Sequence, residues 1–82
     1  MTAAKLAELL VDESGMYDDW MIEDVQVTNG KIELRLYDEY TDDEFVSNDK
    51  GLLENIVEML AGERIDIHSY IVAGKTVVAI PA

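Results

Sequence analysis

The sequence predicts an α+β domain in which two helices pack on one face of a four-stranded antiparallel sheet. Three observations support this: two segments with apolar residues at helical spacing, an Asn-Gly pair between two alternating segments, and two Ile- and Val-rich segments near the end. The resulting order is α-β-β-α-β-β, and one layer of helices on one sheet is the simplest packing for it. With 82 residues, the chain is expected to form a single domain over residues 1–82.

The first helix is predicted from Ala3 to Val11, where five apolar residues form one broad stripe. Thr2 is a candidate N-cap, and Ser14-Gly15 is a candidate stop. An acidic and aromatic connector, 17–20, follows the helix.

A β-hairpin is predicted next, because Asn29-Gly30 is the strongest short-range hairpin signal. This pair joins predicted strands at Glu23–Thr28 and Lys31–Asp38. Along the second strand the apolar residues Ile32, Leu34 and Leu36 alternate with Lys31, Glu33, Arg35 and Tyr37. This alternation is typical of a strand with one buried face and one solvated face.

The second helix is predicted from Lys50 to Ala61, again from apolar residues at helical spacing. Asn48 or Asp49 can cap its start, and Gly62 can close its end. We interpret the acidic segment between the first hairpin and this helix as a connector.

The chain ends with two predicted strands, Arg64–Val72 and Lys75–Ile80, joined by a turn at Ala73-Gly74. Pro81 ends the last strand because proline cannot donate a ladder hydrogen bond. Val27–Ile32 and Ile71–Thr76 are similar, each with a lysine directly after the turn. The similarity indicates either an internal duplication or the chance recurrence of a common hairpin pattern.

Acidic residues are crowded into two runs that contain no lysine or arginine. The chain has 18 acidic and 6 basic residues and a formal net charge of −12. Twelve of the acids lie in the two runs, which comprise Asp12, Glu13, Asp18, Asp19, Glu23 and Asp24, then Asp38, Glu39, Asp42, Asp43, Glu44 and Asp49. Like charges this close destabilise a compact state by self-repulsion, so we interpret them as a surface that attracts a strongly basic partner.

Composition excludes several other classes of function. The chain has no cysteine, which excludes a disulfide framework, a zinc–cysteine site and a thiol nucleophile. No secretion signal or membrane-spanning run is present, so we expect a cytoplasmic protein, in the host cell if it is phage-encoded. The negative charge argues against direct binding to nucleic acid or to an anionic membrane.

Catalytic and metal-binding motifs are weak by comparison. The segment Asp38–Asp49 has the length of a calcium loop, but Asp43 stands where that loop needs glycine and Asp49 where it needs glutamate. His68 is the only histidine, and no nucleophile motif accompanies it. We therefore expect no enzyme activity, no cofactor and no specific metal site, and a small metal-dependent enzyme is the last of three hypotheses.

Aromatic residues placed among the acids are candidate contact residues. Tyr17 precedes Asp18, and Tyr40 lies inside the second run. Tyrosine and tryptophan are enriched at the centres of protein interfaces, where they slow dissociation. The alternative is that aromatic side chains near the acidic runs close the edges of the core. For Trp20 and Phe45 this is the favoured interpretation.

In size, charge, lack of cysteine and acidic runs such as Asp42-Asp43-Glu44, the chain resembles small acidic phage-encoded inhibitors, the DNA-mimicking anti-restriction and anti-CRISPR proteins. The resemblance is one of overall profile. It implies a stoichiometric inhibitor that occupies the basic nucleic-acid-binding surface of a bacterial defence complex.

The first hypothesis is therefore a protein-binding inhibitor that acts by DNA mimicry. The second is a non-mimetic interaction module: an immunity or antitoxin-like partner of a basic protein, or a small subunit that assembles as a homodimer through a sheet edge. The candidate partner-binding residues are Asp38, Glu39, Tyr40, Asp42, Asp43, Glu44 and Asp49, extended by Tyr17, Asp18, Asp19, Glu23 and Asp24.

Overall fold

A computed structural model describes residues 2–13 and 21–81 of the chain. Within them, one antiparallel sheet has the strand order β1-β2-β4-β3. The strands are β1 (Ile22–Thr28), β2 (Lys31–Leu36), β3 (His68–Val72) and β4 (Lys75–Pro81). The predicted α+β class and four-stranded antiparallel sheet are confirmed.

Two-residue turns close both hairpins. Asn29 and Gly30 have φ values of 50° and 75°, and Ala73 and Gly74 have 52° and 82°. Positive φ at both central residues defines the type I′ turn, which matches the twist of the flanking strands. Ala73 adopts this conformation against the roughly 1–2 kcal/mol penalty that a Cβ atom imposes.

Strand and helix bounds differ from the prediction at several points. β2 ends at Leu36, and β3 begins only at His68. The first helix, α1, spans Ala3–Glu8 and continues as a π-helical turn over Leu9–Glu13. Its Thr2 cap is confirmed, because the threonine side chain accepts a hydrogen bond from the Lys5 N–H at 3.2 Å. The predicted stop at Ser14-Gly15 lies outside the described residues.

The predicted two-helix order is wrong, because the second acidic run forms a helix of its own. This helix, α2, spans Asp42–Asn48 and leads into α3 (Lys50–Ala61). Thr41 caps α2: its Oγ1 accepts from the Glu44 N–H and donates to the Glu44 carboxylate, both at 3.2 Å. Acidic residues fill the first turn, where the helix dipole favours them. A threonine followed three residues later by glutamate is a helix-start signature that our connector interpretation overlooked.

All three helices bury apolar side chains on the same face of the sheet. The end of α3 is as predicted, since Gly62 has φ 77° and its N–H donates to the Glu58 carbonyl at 2.9 Å. The helices contribute Leu6, Leu10, Phe45, Leu53 and Val57 to the core, and the sheet contributes Ile32, Leu34, Leu36, Val78 and Ile80. Ile65 and Ile67 are also buried, although they precede β3.

The opposite face of the sheet carries no helix among the described residues, yet part of it is buried from solvent. Val77 and Ala79 on β4 are buried. The Tyr70 hydroxyl on β3 donates to the Glu33 carboxylate on β2 at 2.9 Å. Because β4 lies between those two strands, the tyrosine ring must pass over β4, and this explains the burial. The same hydrogen bond raises the pKa of Tyr70 above its usual value.

Removal of the α2 cap tests why the second acidic run is helical. We expect Thr41→Ala to lower the free energy of unfolding by about 0.5–2 kcal/mol, because the Glu44 N–H loses its acceptor. Urea denaturation followed by circular dichroism measures the change. Ser47→Ala, at an exposed position of the same helix, is the control and should be nearly neutral. Equal effects of the two substitutions would show that the cap does not stabilise α2.

Candidate functional site

The end of the first acidic run and the start of the second approach each other at one end of the sheet. Ile22 lies opposite Leu36, so the start of β1 and the end of β2 are neighbours. The Tyr37 N–H continues this contact by donating to the Met21 carbonyl at 2.8 Å. Glu23, in the first run, thereby comes close to Asp38, at the start of the second.

Lys75 bridges Glu23 of the first run and Asp38 of the second. Its Nζ lies 2.7 Å from a Glu23 carboxylate oxygen and 3.0 Å from an Asp38 carboxylate oxygen. Hydrogen bonds to Glu23 and then Asp38 raise the pKa of Lys75 above its usual value. The Asp38 side chain remains 76% exposed, so solvent screens the attraction and the pairs are individually weak. One ammonium group faces two carboxylates, which leaves the cluster negative.

A short turn carries the chain from Asp38 into α2. The Tyr40 N–H donates to the Tyr37 carbonyl at 2.9 Å, and α2 begins two residues later. The exposed carboxylates of Asp38, Glu39, Asp43 and Glu44 therefore follow one another closely along the chain. We call the group formed by five exposed acids the acidic corner: Glu23, Asp38, Glu39, Asp43 and Glu44.

Glu39 and Asp43 are the members of the acidic corner with the least internal compensation. Both side chains are exposed, and no lysine or arginine of the described residues lies within 4 Å of either carboxylate. Glu44 differs, because its carboxylate accepts the Thr41 hydroxyl. Glu39 and Asp43 are therefore the carboxylates best placed to interact with an external cation.

Tyr40 and Asp49, both predicted to bind a partner, are engaged inside the fold. The Tyr40 hydroxyl donates to the Asp49 carboxylate. The Tyr40 ring packs against the core and lies edge-on to Phe45, with centroids 6.3 Å apart. Asp49 also accepts the Leu53 N–H at its backbone carbonyl, at 2.9 Å. These contacts hold the junction between α2 and α3.

The remaining predicted residues are either half-buried or lie outside the described residues. Asp42 is half-buried at the start of α2, and its Oδ1 has no hydrogen-bond partner among the described residues. Asp24 is half-buried on β1, where it accepts from the Gln26 amide at 3.1 Å. Tyr17, Asp18 and Asp19 lie outside the described residues.

A second acidic surface was not predicted. Glu54 and Glu58 on α3 line a cleft of about 340 Å³ together with Gly51, Asn55, Arg64 and Ile65. Arg64 contacts Asp66 at 3.7 Å. The sequence does contain a signal for this surface, because two glutamates four residues apart share one face of the predicted α3. The Lys75 cluster has no local signal in the sequence, because Asp38 lies 37 positions from Lys75 along the chain.

The described residues offer little to a metal ion. No group of three or more aspartate, glutamate or histidine side chains in residues 2–13 and 21–81 is arranged to hold one. His68 is exposed on β3.

The described part of the chain contains no candidate for a membrane-spanning helix. None of the helices described is both long enough and apolar enough to cross a bilayer.

Comparison of the chain with protein-family models, curated proteins and solved structures finds no match.

The Lys75 cluster predicts a specific loss of stability at alkaline pH. A raised pKa in the folded state stabilises the protein below the unfolded value of about 10.4, and this contribution disappears as pH rises through the folded value. We expect Lys75→Met to unfold more readily than the unmodified protein at pH 8 and to lose less stability between pH 9 and 12. Thermal unfolding followed by circular dichroism measures both effects.

Lys31→Met is the matched control, because it removes the same charge from a lysine that forms no ion pair within 4 Å among the described residues. If both variants show the same alkaline profile, the Lys75 contacts contribute nothing measurable to stability.

Proposed function

We propose that the protein is an acidic protein-binding inhibitor that blocks the basic nucleic-acid-binding surface of a host defence complex. A CRISPR effector or a restriction enzyme is the partner class. The observation that carries the proposal is the acidic corner, in which Glu39 and Asp43 are exposed without an ion-pair partner among the described residues. Catalysis is not part of the proposal, and the protein acts by occupancy.

The charge balance of the acidic corner supports attraction to a cationic cleft. The acidic corner contains five carboxylates, and two of them, those of Glu23 and Asp38, contact the ammonium group of Lys75. Electrostatic attraction between such surfaces accelerates association and weakens steeply with ionic strength. At physiological salt, screening acts over about 8 Å, so this local excess matters more for affinity than the total charge of the chain.

The arrangement of carboxylates supports competition with DNA in particular. A nucleic-acid-binding cleft carries lysine and arginine side chains that contact successive phosphates, about 3.4 Å apart along one strand. The acidic corner combines carboxylates from the end of the sheet (Glu23 and Asp38), from the turn (Glu39) and from the first turn of α2 (Asp43 and Glu44). Association of such a ligand with a basic cleft releases counterions, as DNA binding does. The ligand offers no bases for sequence-specific contacts.

The second candidate is a non-mimetic interaction module. It is favoured by the internal contacts of Tyr40 and Asp49 and by the Lys75 cluster, because these remove several carboxylates from an uninterrupted row. Such a module binds one basic protein tightly without competing against nucleic acid.

Charge reversal at the acidic corner tests the proposal. The assay measures displacement of labelled duplex from purified CRISPR effectors and restriction enzymes by increasing amounts of the protein. We expect inhibition of at least one of them, with affinity that falls as salt rises. We expect the double variant Glu39→Lys and Asp43→Lys to weaken that inhibition about tenfold or more, equivalent to ~1.4 kcal/mol.

The control carries the same change in net charge elsewhere: Asp12→Lys and Glu63→Lys, both at exposed positions. It should retain most of the inhibition. Equal losses in the two double variants would indicate a non-specific charge effect. Binding that never displaces the duplex would favour the non-mimetic module.

A further inference from the structure

The strand β3 forms one edge of the sheet. It pairs with β4 through five consecutive residue pairs, from His68 opposite Ala79 to Val72 opposite Lys75, with no register shift. Its other side has no strand partner among the described residues. The backbone of β3 is therefore regular enough to act as a template for one more strand.

The hairpin turn determines which backbone groups of β3 point outward. In a two-residue type I′ hairpin, the residues that flank the turn exchange both hydrogen bonds. Val72 is therefore a hydrogen-bonded partner of Lys75, and by alternation Tyr70 and His68 also bond to β4. The N–H and C=O groups of Ser69 and Ile71 consequently point away from β4, toward the edge.

Nothing in the sequence of β3 protects this edge. Natural edge strands are usually guarded by lysine, proline, bulges or inward-pointing charges, and residues 67–73 contain no proline and no acidic, lysine or arginine residue. Its apolar side chains are accessible, with Tyr70, Ile71 and Val72 exposed by 38%, 65% and 48%.

The opposite edge, β1, is protected. A register shift interrupts its pairing between Ile22 and Asp24, and Glu23 and Asp24 place negative charge at the irregularity. The contrast between the two edges singles out β3.

We propose that β3 pairs with β3 of a second copy of this chain. An antiparallel pair with its two-fold axis at Tyr70 places Ser69 of each copy opposite Ile71 of the other. This register joins the outward-pointing groups of the two strands in hydrogen-bonded pairs. The result is a closed, two-fold symmetric dimer with a continuous eight-stranded sheet. The inference does not rest on the proposed function.

Local charge favours a second copy over a basic segment as the occupant. β3 has no carboxylate to pair with lysine or arginine. β3 of a second copy also lacks these charges, so pairing of the two strands brings no like charges into contact. Beyond the strand the two copies repel each other, because each carries −12 and α2, which packs against β3, exposes Asp43 and Glu44. Salt screens that repulsion.

The pairing surface is small. Stable interfaces bury about 1,200–2,000 Å² in total, and one pair of five-residue strands covers less. We therefore expect a dimer that forms only at high protein concentration and is strengthened by added salt. The salt effect has the opposite sign to that expected for binding to a basic partner, so the two interactions are distinguishable.

Light scattering and sedimentation over about 0.01–1 mM protein, at ~50 and ~500 mM NaCl, test the dimer. We expect the dimer fraction to rise with both protein and salt. Amide hydrogen exchange should slow at Ser69 and Ile71 as concentration rises, since these N–H groups become paired.

Ile71→Lys should abolish the dimer by placing a charge at the edge. Val27→Lys is the matched control, because it adds the same charge near the hairpin turn of the opposite edge, where Val27 is also exposed. Ser69→Pro, which removes the outward donor without adding charge, should also abolish the dimer and serves if Ile71→Lys proves unstable.

A chain that stays monomeric throughout overturns the inference. So does a dimer that survives both β3 substitutions, one that Val27→Lys disrupts, or one that added salt dissociates.

Discussion

Burial of one face of the sheet under three helices determines where the remaining surfaces of the protein lie. Leu6, Phe45 and Val57, one from each helix, meet in a common core with Ile32 and Ile80 of the two central strands. Because the helices occupy this face, charged residues are left to the opposite face and the ends of the sheet and to the outer sides of the helices. The edge strands also remain at the periphery. Both proposed interaction surfaces, the acidic corner and the β3 edge, follow from this arrangement.

The acidic residues of this chain fall into two groups by their internal contacts, and the net charge alone does not separate them. The Glu44 carboxylate accepts a hydrogen bond from the Thr41 hydroxyl, and the Asp49 carboxylate accepts one from the Tyr40 hydroxyl. Asp38 contacts Lys75. These contacts lie within the fold whether or not a partner is present. Glu39 and Asp43 have no such ion-pair contacts among the described residues, and a partner would act on them first.

Much of the fold could be predicted because its determinants are local. Asn29-Gly30 specifies a type I′ turn, Thr2 caps α1, and Gly62 closes α3 through its left-handed conformation. The helix α2 was missed although its capping signature is also local, because the density of charge in Asp42-Asp43-Glu44 favoured a connector. Acids in the first turn of a helix are stabilising, so the same residues were evidence for the helix.

Local sequence patterns are sufficient to establish the α+β class, the hairpins, the amphipathic helices and the excess of negative charge, since each arises from residues close together along the chain. Three features come instead from tertiary packing: Lys75 contacts both Glu23 and Asp38, the Tyr40 hydroxyl donates to Asp49, and β3 forms an edge of the sheet. Those features depend on which strands become neighbours. Strand order is set by the packing of the whole core, and no local pattern encodes it.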